Sequence, residues 1–503
     1  MAFNPQEYKP EPTAPPLSQA EAPPSYDDSI SNPAVAGAAA AAIPGVSPMH
    51  NSPVLYPVLP TSQQPRYRLA HKDFLPKLLK KHTFSADEYE PFSLVMQHVN
   101  NWLSENPVVS VVQCQSLVWP STLNKQFFTD QAIHIKSRKN GSKTKCTRGL
   151  RLWYYADSPH SRTPSICIGY RNFLPEPDEK LSHLVGRVNR GLNAFPLEGN
   201  ILNVETVPLK TSSAYKHDPA LAERSVWLEQ PEDGKRYALF LRIFFIHSNH
   251  YDRDAEIVMK DFIPVYNQKS KQNAGYELFN EVLERASRWI SHHDGYKFIN
   301  LQSIPMKDKN IMEMRGAPVV EKCFFTEHGC SVAGATNGEA TMYFQILRVI
   351  FVKPMQGVTN PTHLSVRTFV PMSLPEVPDT YEELTQTVDR VNSWISSAGA
   401  TVFGMETVPI RLSPTLPMSA AISLGSDLTY TMVKAEEACK GVEKWAFIVR
   451  LYLSGDYAEP GMGTPIPQRQ TSMSSGVSGH VGSFDMGYAG ARPPMIHSNS
   501  FSS

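Results

Sequence analysis

Three groups of side chains in this sequence have the chemistry of metal ligands or proton carriers. His247, His250 and Asp252 lie close together, Cys323, His328 and Cys330 form a second group, and His292, His293 and Asp294 are consecutive. Imidazole, thiolate and carboxylate groups at such spacings can hold a zinc ion or move protons. Each group also has a simpler explanation. The first follows an apolar, strand-like run, where a polar exit loop belongs. The second lacks a fourth ligand and a regular spacing. The third closes a helix-period segment, where positive charge meets the negative end of the helix dipole. The chain has no Gly-x-Ser-x-Gly, no P-loop, no His-Glu-x-x-His and no Cys-x-x-Cys, so the familiar signatures of nucleophilic, phosphoryl-transfer and metal-hydrolase chemistry are missing. The expectation is a protein that is not an enzyme, with no catalytic residues, no metal and no cofactor.

Cationic residues form the next group. Lys125, Lys136, Arg138, Lys139, Lys143, Lys145, Arg148 and Arg151 face a single acid, Asp130, across residues 125–151, and Arg66, Arg68, Lys72, Lys77, Lys80 and Lys81 lie upstream. Asn140-Gly141 in the middle is a strong two-residue hairpin signal. The expected feature is a protruding hairpin on which Lys136, Arg138, Lys139, Lys143, Lys145 and Arg148 contact an anionic membrane or RNA phosphates. Near a membrane each cation contributes about 1 kcal/mol, and on RNA the same charges release counterions. A solvated surface loop is the alternative.

Recognition chemistry of another kind sits in the first sixty-five residues. This stretch is crowded with Pro, Ala and Ser, including the run Ala38 to Ala42, and its composition cannot bury enough apolar surface to offset ordering entropy. Three short motifs stand in it: Pro12-Thr13-Ala14-Pro15, Pro23-Pro24-Ser25-Tyr26 and Leu55-Tyr56-Pro57-Val58-Leu59. Proline pre-sets an extended backbone, which lowers the entropy lost on docking into a groove. Together the motifs resemble the PTAP, PPxY and LYPxL late domains by which viral Gag and matrix proteins and cellular budding adaptors recruit the ESCRT machinery. The resemblance implies three partners. A UEV-domain ESCRT subunit would take Ala14 and Pro15, a WW-domain ubiquitin ligase would take Pro23, Pro24 and Tyr26, and an ALIX-type V domain would take Leu55 to Leu59.

The rest of the chain repeats. A helix-period segment recurs around Asn100-Asn101-Trp102, Asn189-Arg190-Gly191, Ser287-Arg288-Trp289 and Asn392-Ser393-Trp394, at a period of about one hundred residues. Phe74-Leu75-Pro76, Phe173-Leu174-Pro175, Phe262-Ile263-Pro264 and Phe369-Val370-Pro371 end a strand-like piece before each helix. A strand ending in Pro120, Pro208, Pro305 or Pro409 follows it, and each unit closes with an apolar run, Leu150 to Tyr155, Leu239 to Ile246, Ile346 to Val352 and Phe447 to Leu453. The pattern predicts an α+β fold of four tandem β-α-β-β modules with disordered N- and C-terminal tails. The boundaries are 1–65 for the Pro-rich tail, then 66–157 (with the basic hairpin), 158–249, 250–354 and 355–457, and 458–503 for a Gly/Ser-rich tail. The helix tryptophans are expected to pack on the sheets rather than bind a ligand. In the C-terminal tail Arg469-Gln470-Thr471-Ser472 resembles a basophilic kinase site.

The chain of 503 residues has a formal net charge of +0, and 41% of it is hydrophobic, enough for a large core. Its apolar runs are too short to span a bilayer, the start of the sequence lacks a signal-peptide pattern, and Ala2 is not a myristoylation start. Six scattered cysteines suit a reducing compartment. The expectation is a cytoplasmic scaffold, peripheral at the endosomal or plasma membrane or in a virion, and capable of homo-oligomerisation. It is either a viral matrix-like or Gag-like protein or a cellular adaptor. The alternative is a ligand-binding protein or enzyme built on the repeated body, with an incidental tail.

Overall fold

The computed structural model describes residues 68–458, apart from 83–86, 122–126, 138–143, 157–165, 212–214, 230–234, 250–254, 268–274, 294–295, 309–320, 328–339, 354–360, 362, 376–379, 414–415 and 435–441. The described chain is mixed, with six helices and twenty strands. None of its helices is long and apolar enough to cross a membrane. The interior boundaries expected from the sequence fall in or beside 157–165, 250–254 and 354–360, outside the described residues.

In chain order the first elements are β1 (Arg68–Phe74), β2 (Leu78–Lys80), β3 (Glu88–Tyr89), α1 (Phe92–Glu105), β4 (Ser110–Pro120), β5 (Ile133–Ser137) and β6 (Thr144–Ala156). Next come β7 (Ile168–Phe173), α2 (Leu181–Ala194), β8 (Gly199–Thr211), α3 (Ala220–Glu223), β9 (Val226–Glu229) and β10 (Lys235–His247). They are followed by β11 (Glu256–Phe262), β12 (Tyr266–Asn267), β13 (Gly275–Tyr276), α4 (Phe279–Ser291), β14 (Lys297–Asp308), β15 (Phe324–Glu327) and β16 (Ala340–Lys353). The last are β17 (Leu364–Phe369), α5 (Leu384–Ala398), β18 (Val402–Arg411), α6 (Met418–Asp427), β19 (Tyr430–Lys434) and β20 (Val442–Ser454).

Four antiparallel sheets result, with the orders β1-β6-β4, β7-β10-β8, β11-β16-β14 and β17-β20-β18. The central strands β6, β10, β16 and β20 are the apolar runs, as expected for strands covered on both faces. Each sheet gains a fourth strand from elsewhere in the chain. β9 pairs with β6, β15 with β10 and β19 with β16, while β5 pairs with β20. Each sheet is thus completed by the stretch of chain that builds the next one, and the last sheet is completed by the first stretch. The circuit closes.

These short added strands were not expected from the sequence, and they revise the basic hairpin. β5 and β6 flank Asn140-Gly141, yet β5 lies against β20 and the start of β6 against β9. The reason is the apolar pattern of β5, which places Ile133 and His134 against the fourth sheet; His134 packs edge-on to Phe447 at 4.9 Å. The strands before Pro208, Pro305 and Pro409 also run on, to Thr211, Asp308 and Arg411. Those prolines sit on strands that form the sheet edge, where a missing N–H costs no ladder bond.

The core follows the same circuit. Leu103, Val99 and Leu152 from the first stretch pack with Ile168 and Phe244 from the second, and Leu184, Val188 and Ile243 pack with Ile257 and Ile350 from the third. Val282 and Val349 join Leu364 and Tyr452, and Val388 and Leu451 join Leu69 and Trp153. Every large cluster is shared by two consecutive sheets. Trp102 lies 5.0 Å from Tyr154, Trp289 lies 5.3 Å from Phe351, and Trp394 lies 5.9 Å from Phe369, so the tryptophans pack on the sheets as the pattern implied.

Helices fasten the outer edges. The Asn100 amide donates to the Ile168 carbonyl at 3.0 Å and accepts from its N–H at 2.9 Å. Asn189 does the same with Ile257 at 2.9 Å and 2.9 Å, and Asn392 with Leu69 at 2.8 Å and 2.8 Å. At the fourth position Ser287 Oγ accepts from Leu364 N–H at 2.7 Å. Helix starts are held across the same junctions. Ser93 N–H donates to Glu223 at 2.8 Å, Ser182 N–H to Glu321 at 3.2 Å and Thr385 N–H to Asp130 at 2.8 Å, where a carboxylate satisfies an otherwise unpaired helix donor. α5 ends at Gly399, whose φ of 63° is the left-handed conformation that glycine adopts without strain.

Asn189→Ala strips both bonds from the Ile257 backbone. It is expected to cost about 1–3 kcal/mol in denaturant unfolding of the whole chain. Asn189→Ser should cost less, because Ser287 fills the corresponding place.

Candidate functional site

The polar chemistry of the described chain is concentrated where the edge strands β4, β8, β14 and β18 face one another. These edges are joined by side chains instead of a backbone ladder. Asn203 accepts from Cys114 N–H at 3.1 Å and donates to its carbonyl at 2.9 Å, and Glu205 accepts from Ser116 N–H at 2.9 Å. Asn300 pairs with both backbone groups of Val204 at 3.0 Å and 3.1 Å, and Gln302 with those of Thr206 at 2.7 Å and 3.0 Å. Glu406 accepts from Ser303 N–H at 2.9 Å, and Gln115 pairs with Thr407 at 2.9 Å and 2.8 Å.

Behind this seam lie four arginines, Arg151, Arg242, Arg348 and Arg450, all fully buried on the central strands. Arg151 binds Asp73 through two bonds of 2.7 Å, and Arg348 binds Asp261 at 2.7 Å and 2.6 Å. Arg242 instead donates to Asn172 at 2.8 Å and stacks 3.5 Å above Phe92, while Arg450 donates to Gln345 at 3.0 Å and stacks 3.6 Å above Phe279. Each also reaches a hydroxyl on a neighbouring inner strand: Thr407 at 3.0 Å, Ser116 at 2.9 Å, Thr206 at 2.7 Å and Ser303 at 2.9 Å respectively. Burial pushes the Glu205 carboxyl up to about 7, against the pull of Ser116, Arg242 and Arg148. Burial lowers Arg242 to about 10. The arrangement orients backbone and charge inside the protein, and its arginines also donate to the carbonyls of Thr129, Ala222 and Ser426.

Of the cations expected on a hairpin, Arg148 is buried, with its guanidinium 5.2 Å from the Trp227 ring and donating to the carbonyls of Pro208 and Arg224. Burial, then Arg242, brings it down to about 9. It belongs to the core because β6 is a central strand, which corrects its expected exposure. Lys145 donates to Tyr89 at 2.5 Å and Asp87 at 3.3 Å. Burial alone would depress its pKa, but these two partners carry it upward. Lys136 lies on β5 opposite Glu443. Arg138, Lys139 and Lys143 lie outside the described residues, as do Pro12 to Pro15, Pro23 to Tyr26, Leu55 to Leu59 and Arg469 to Ser472.

Among the proposed ligand groups, His250, Asp252, Asp294, His328 and Cys330 are outside the described residues. His292 and His293 donate to the carbonyls of Arg288 and Trp289 at 2.6 Å and 2.7 Å, closing the end of α4. Cys323 is buried, and burial raises its thiol to about 12. Among the described residues no cluster of three His, Cys, Asp or Glu side chains could hold a metal ion. A shallow crevice between the second and third sheets is lined by Leu192, Leu197, Ile201, Ile299 and Val352, with Lys297 and Asn200 as its polar side chains.

Sequence reading missed the arginine series and the amide seam. The signal was present as one arginine at the same place in each apolar run, after Leu150, Leu241, Leu347 and Val449. A charge there within a strand buried on both faces requires partners. Compared with protein-family models, curated proteins and solved structures, the chain finds no match.

Two outcomes test this interior. Asp261→Ala leaves Arg348 buried and unpaired, and is expected to cost about 3–5 kcal/mol; Asp261→Leu with Arg348→Met should recover most of it. Glu205 holds its proton more tightly in the folded protein than a solvated glutamate, whose carboxyl titrates near 4.5. Its contribution is therefore fully present below pH of about 4.5 and is lost as pH rises through about 7, amounting to at most about 3 kcal/mol. Glu205→Gln, the residue type at the equivalent positions 115 and 302, should flatten that dependence in thermal melts at pH values on either side of the window.

Proposed function

We propose that this protein is a non-enzymatic scaffold in which an N-terminal recruiting tail is carried by a body of four tandem β-α-β-β modules. The tail brings a UEV-domain ESCRT subunit, WW-domain ubiquitin ligases and an ALIX-type V domain to a budding or sorting site at the endosomal or plasma membrane. The observation that carries the reading is the coincidence of Pro12 to Pro15, Pro23 to Tyr26 and Leu55 to Leu59 in one proline-rich stretch. One such motif arises readily in that composition, whereas three with distinct side-chain requirements do not. In the body, four sheets of like strand order support the modular reading. So do four arginines, four inner-edge polar pairs and four helix-to-edge contacts at matching places. Side-chain hydrogen bonds tie the inner strands to one another, which suits a rigid carrier. Several weak motifs on one tether gain strength when they engage together.

The test is capture from cell lysate by the full chain and by a variant carrying Pro12→Ala, Tyr26→Ala and Tyr56→Ala. Wild type should retain the three partner classes, and the variant should lose about tenfold or more of each. Equal capture by both proteins removes the basis of the reading.

A further inference from the structure

The inner strands run in step, Asn203 meeting Cys114 and Glu205 meeting Ser116, Asn300 meeting Val204 and Gln302 meeting Thr206. Neighbouring inner strands are therefore parallel, and like ends of the four sheets point the same way. One end carries the helix starts, the loops after Phe74, Phe173, Phe262 and Phe369, and the added strands. The other carries the helix ends, the start of β1 and the end of β20.

Exposed apolar side chains are distributed unevenly between these ends. Fourteen large hydrophobic residues are exposed among the described residues, and only Val108, Phe195 and Phe403 lie at the helix-end side. The others lie at the helix-start side, in the first, third and fourth sheets and the loops beside them. The sharpest feature there is β2 with its flanks. Lys77-Leu78-Leu79-Lys80-Lys81 is exposed at every residue, with Leu78 at 47% and Leu79 at 53%. β2 pairs with the two-residue β3, outside the four sheets. Of the nearby acids, Asp87 binds Lys145, Glu90 contacts His98 and accepts from the Lys77 backbone N–H at 2.9 Å, and Glu88 stands opposite Lys80 on β3. Two steps around the circuit, the corresponding loop of the third sheet exposes Val265 and Tyr266, and Tyr266 packs 5.1 Å from Tyr276.

We propose that the helix-start end docks on an anionic lipid surface. Leu78 and Leu79 enter the boundary between headgroups and acyl chains, Lys77, Lys80 and Lys81 meet the lipid phosphates, and Val265 with Tyr266 makes the second contact. Adjacent exposed leucines between lysines match a surface that is apolar inside and negatively charged at its face. Lysine stems can lie along the acyl boundary with their ammonium groups in the headgroup layer. RNA would use the lysines but offers nothing for the leucines, since base recognition relies on aromatic stacking and hydrogen bonds. The contact is independent of the tail motifs.

Co-sedimentation of the full chain with vesicles tests it, using phosphatidylcholine alone or mixed with phosphatidylserine. Wild type should sediment with the mixed vesicles and dissociate as salt rises. Leu78→Ser with Leu79→Ser should weaken that binding by about tenfold or more. Lys80→Glu with Lys81→Glu should abolish the preference for phosphatidylserine. All four residues are exposed, so unchanged thermal melts are expected to confirm that the variants fold. The tail triple variant should bind vesicles as wild type does. The proposal is overturned if wild type does not sediment with the mixed vesicles or if the leucine variant sediments equally well. Binding of a single-stranded RNA probe without vesicle binding also overturns it and assigns the lysines to nucleic acid.

Discussion

An unpaired sheet edge exposes a row of N–H and C=O groups that must be bonded or hydrated. Four sheets in one chain present that demand repeatedly, and the whole body is organised by how it is met. Outer strands are held by helix asparagines and a serine, and the starts of the central strands by short strands contributed from another stretch of chain. Inner edges are held by Asn203, Glu205, Asn300, Gln302, Glu406 and Gln115. A side-chain amide offers the same donor and acceptor as a peptide group, and it lets two strands lie side by side without forming a ladder. Because every such bond crosses between sheets, no sheet is complete alone. The apolar clusters, each shared by two consecutive sheets, follow from the same arrangement.

The buried charges obey an alternation. In the first and third sheets the arginine faces an aspartate on the outer strand, Asp73 or Asp261. In the second and fourth, Asn172 and Thr368 stand there, and the acid moves to the inner strand as Glu205 or Glu406. The aromatic platforms alternate as well: Phe92 and Phe279 begin α1 and α4 under Arg242 and Arg450, while Leu181 and Leu384 begin α2 and α5. A buried cation without a nearby carboxylate would be costly, and each of these four arginines has one acid opposite it on a flanking strand.

Much of this architecture was legible in the sequence. Aromatic and β-branched runs marked the central strands, the Phe-x-Pro strings marked the ends of the outer strands, and helix periodicity located α1, α2, α4 and α5. The added strands were not legible, because β9 and β15 are four residues long and carry no turn signal that names a partner. Asn140-Gly141 is a good hairpin turn by local rules, but tertiary pairing claimed β5 for the fourth sheet. Arg148 was read as surface charge from its position in a cationic run, whereas its place on a central strand decides its burial. The tail motifs are legible only as sequence, since Pro12 to Pro15, Pro23 to Tyr26 and Leu55 to Leu59 lie outside the described residues.

A closed circuit of strand pairing has no natural first member. The unit starting at β1 completes the fourth sheet by the same contacts that the later units use on their predecessors. Yet the four stretches are not interchangeable: Gly191 stands where the other helices carry a tryptophan, Ser287 where they carry an asparagine, and Gly404 at an inner-edge position that is polar in the other sheets.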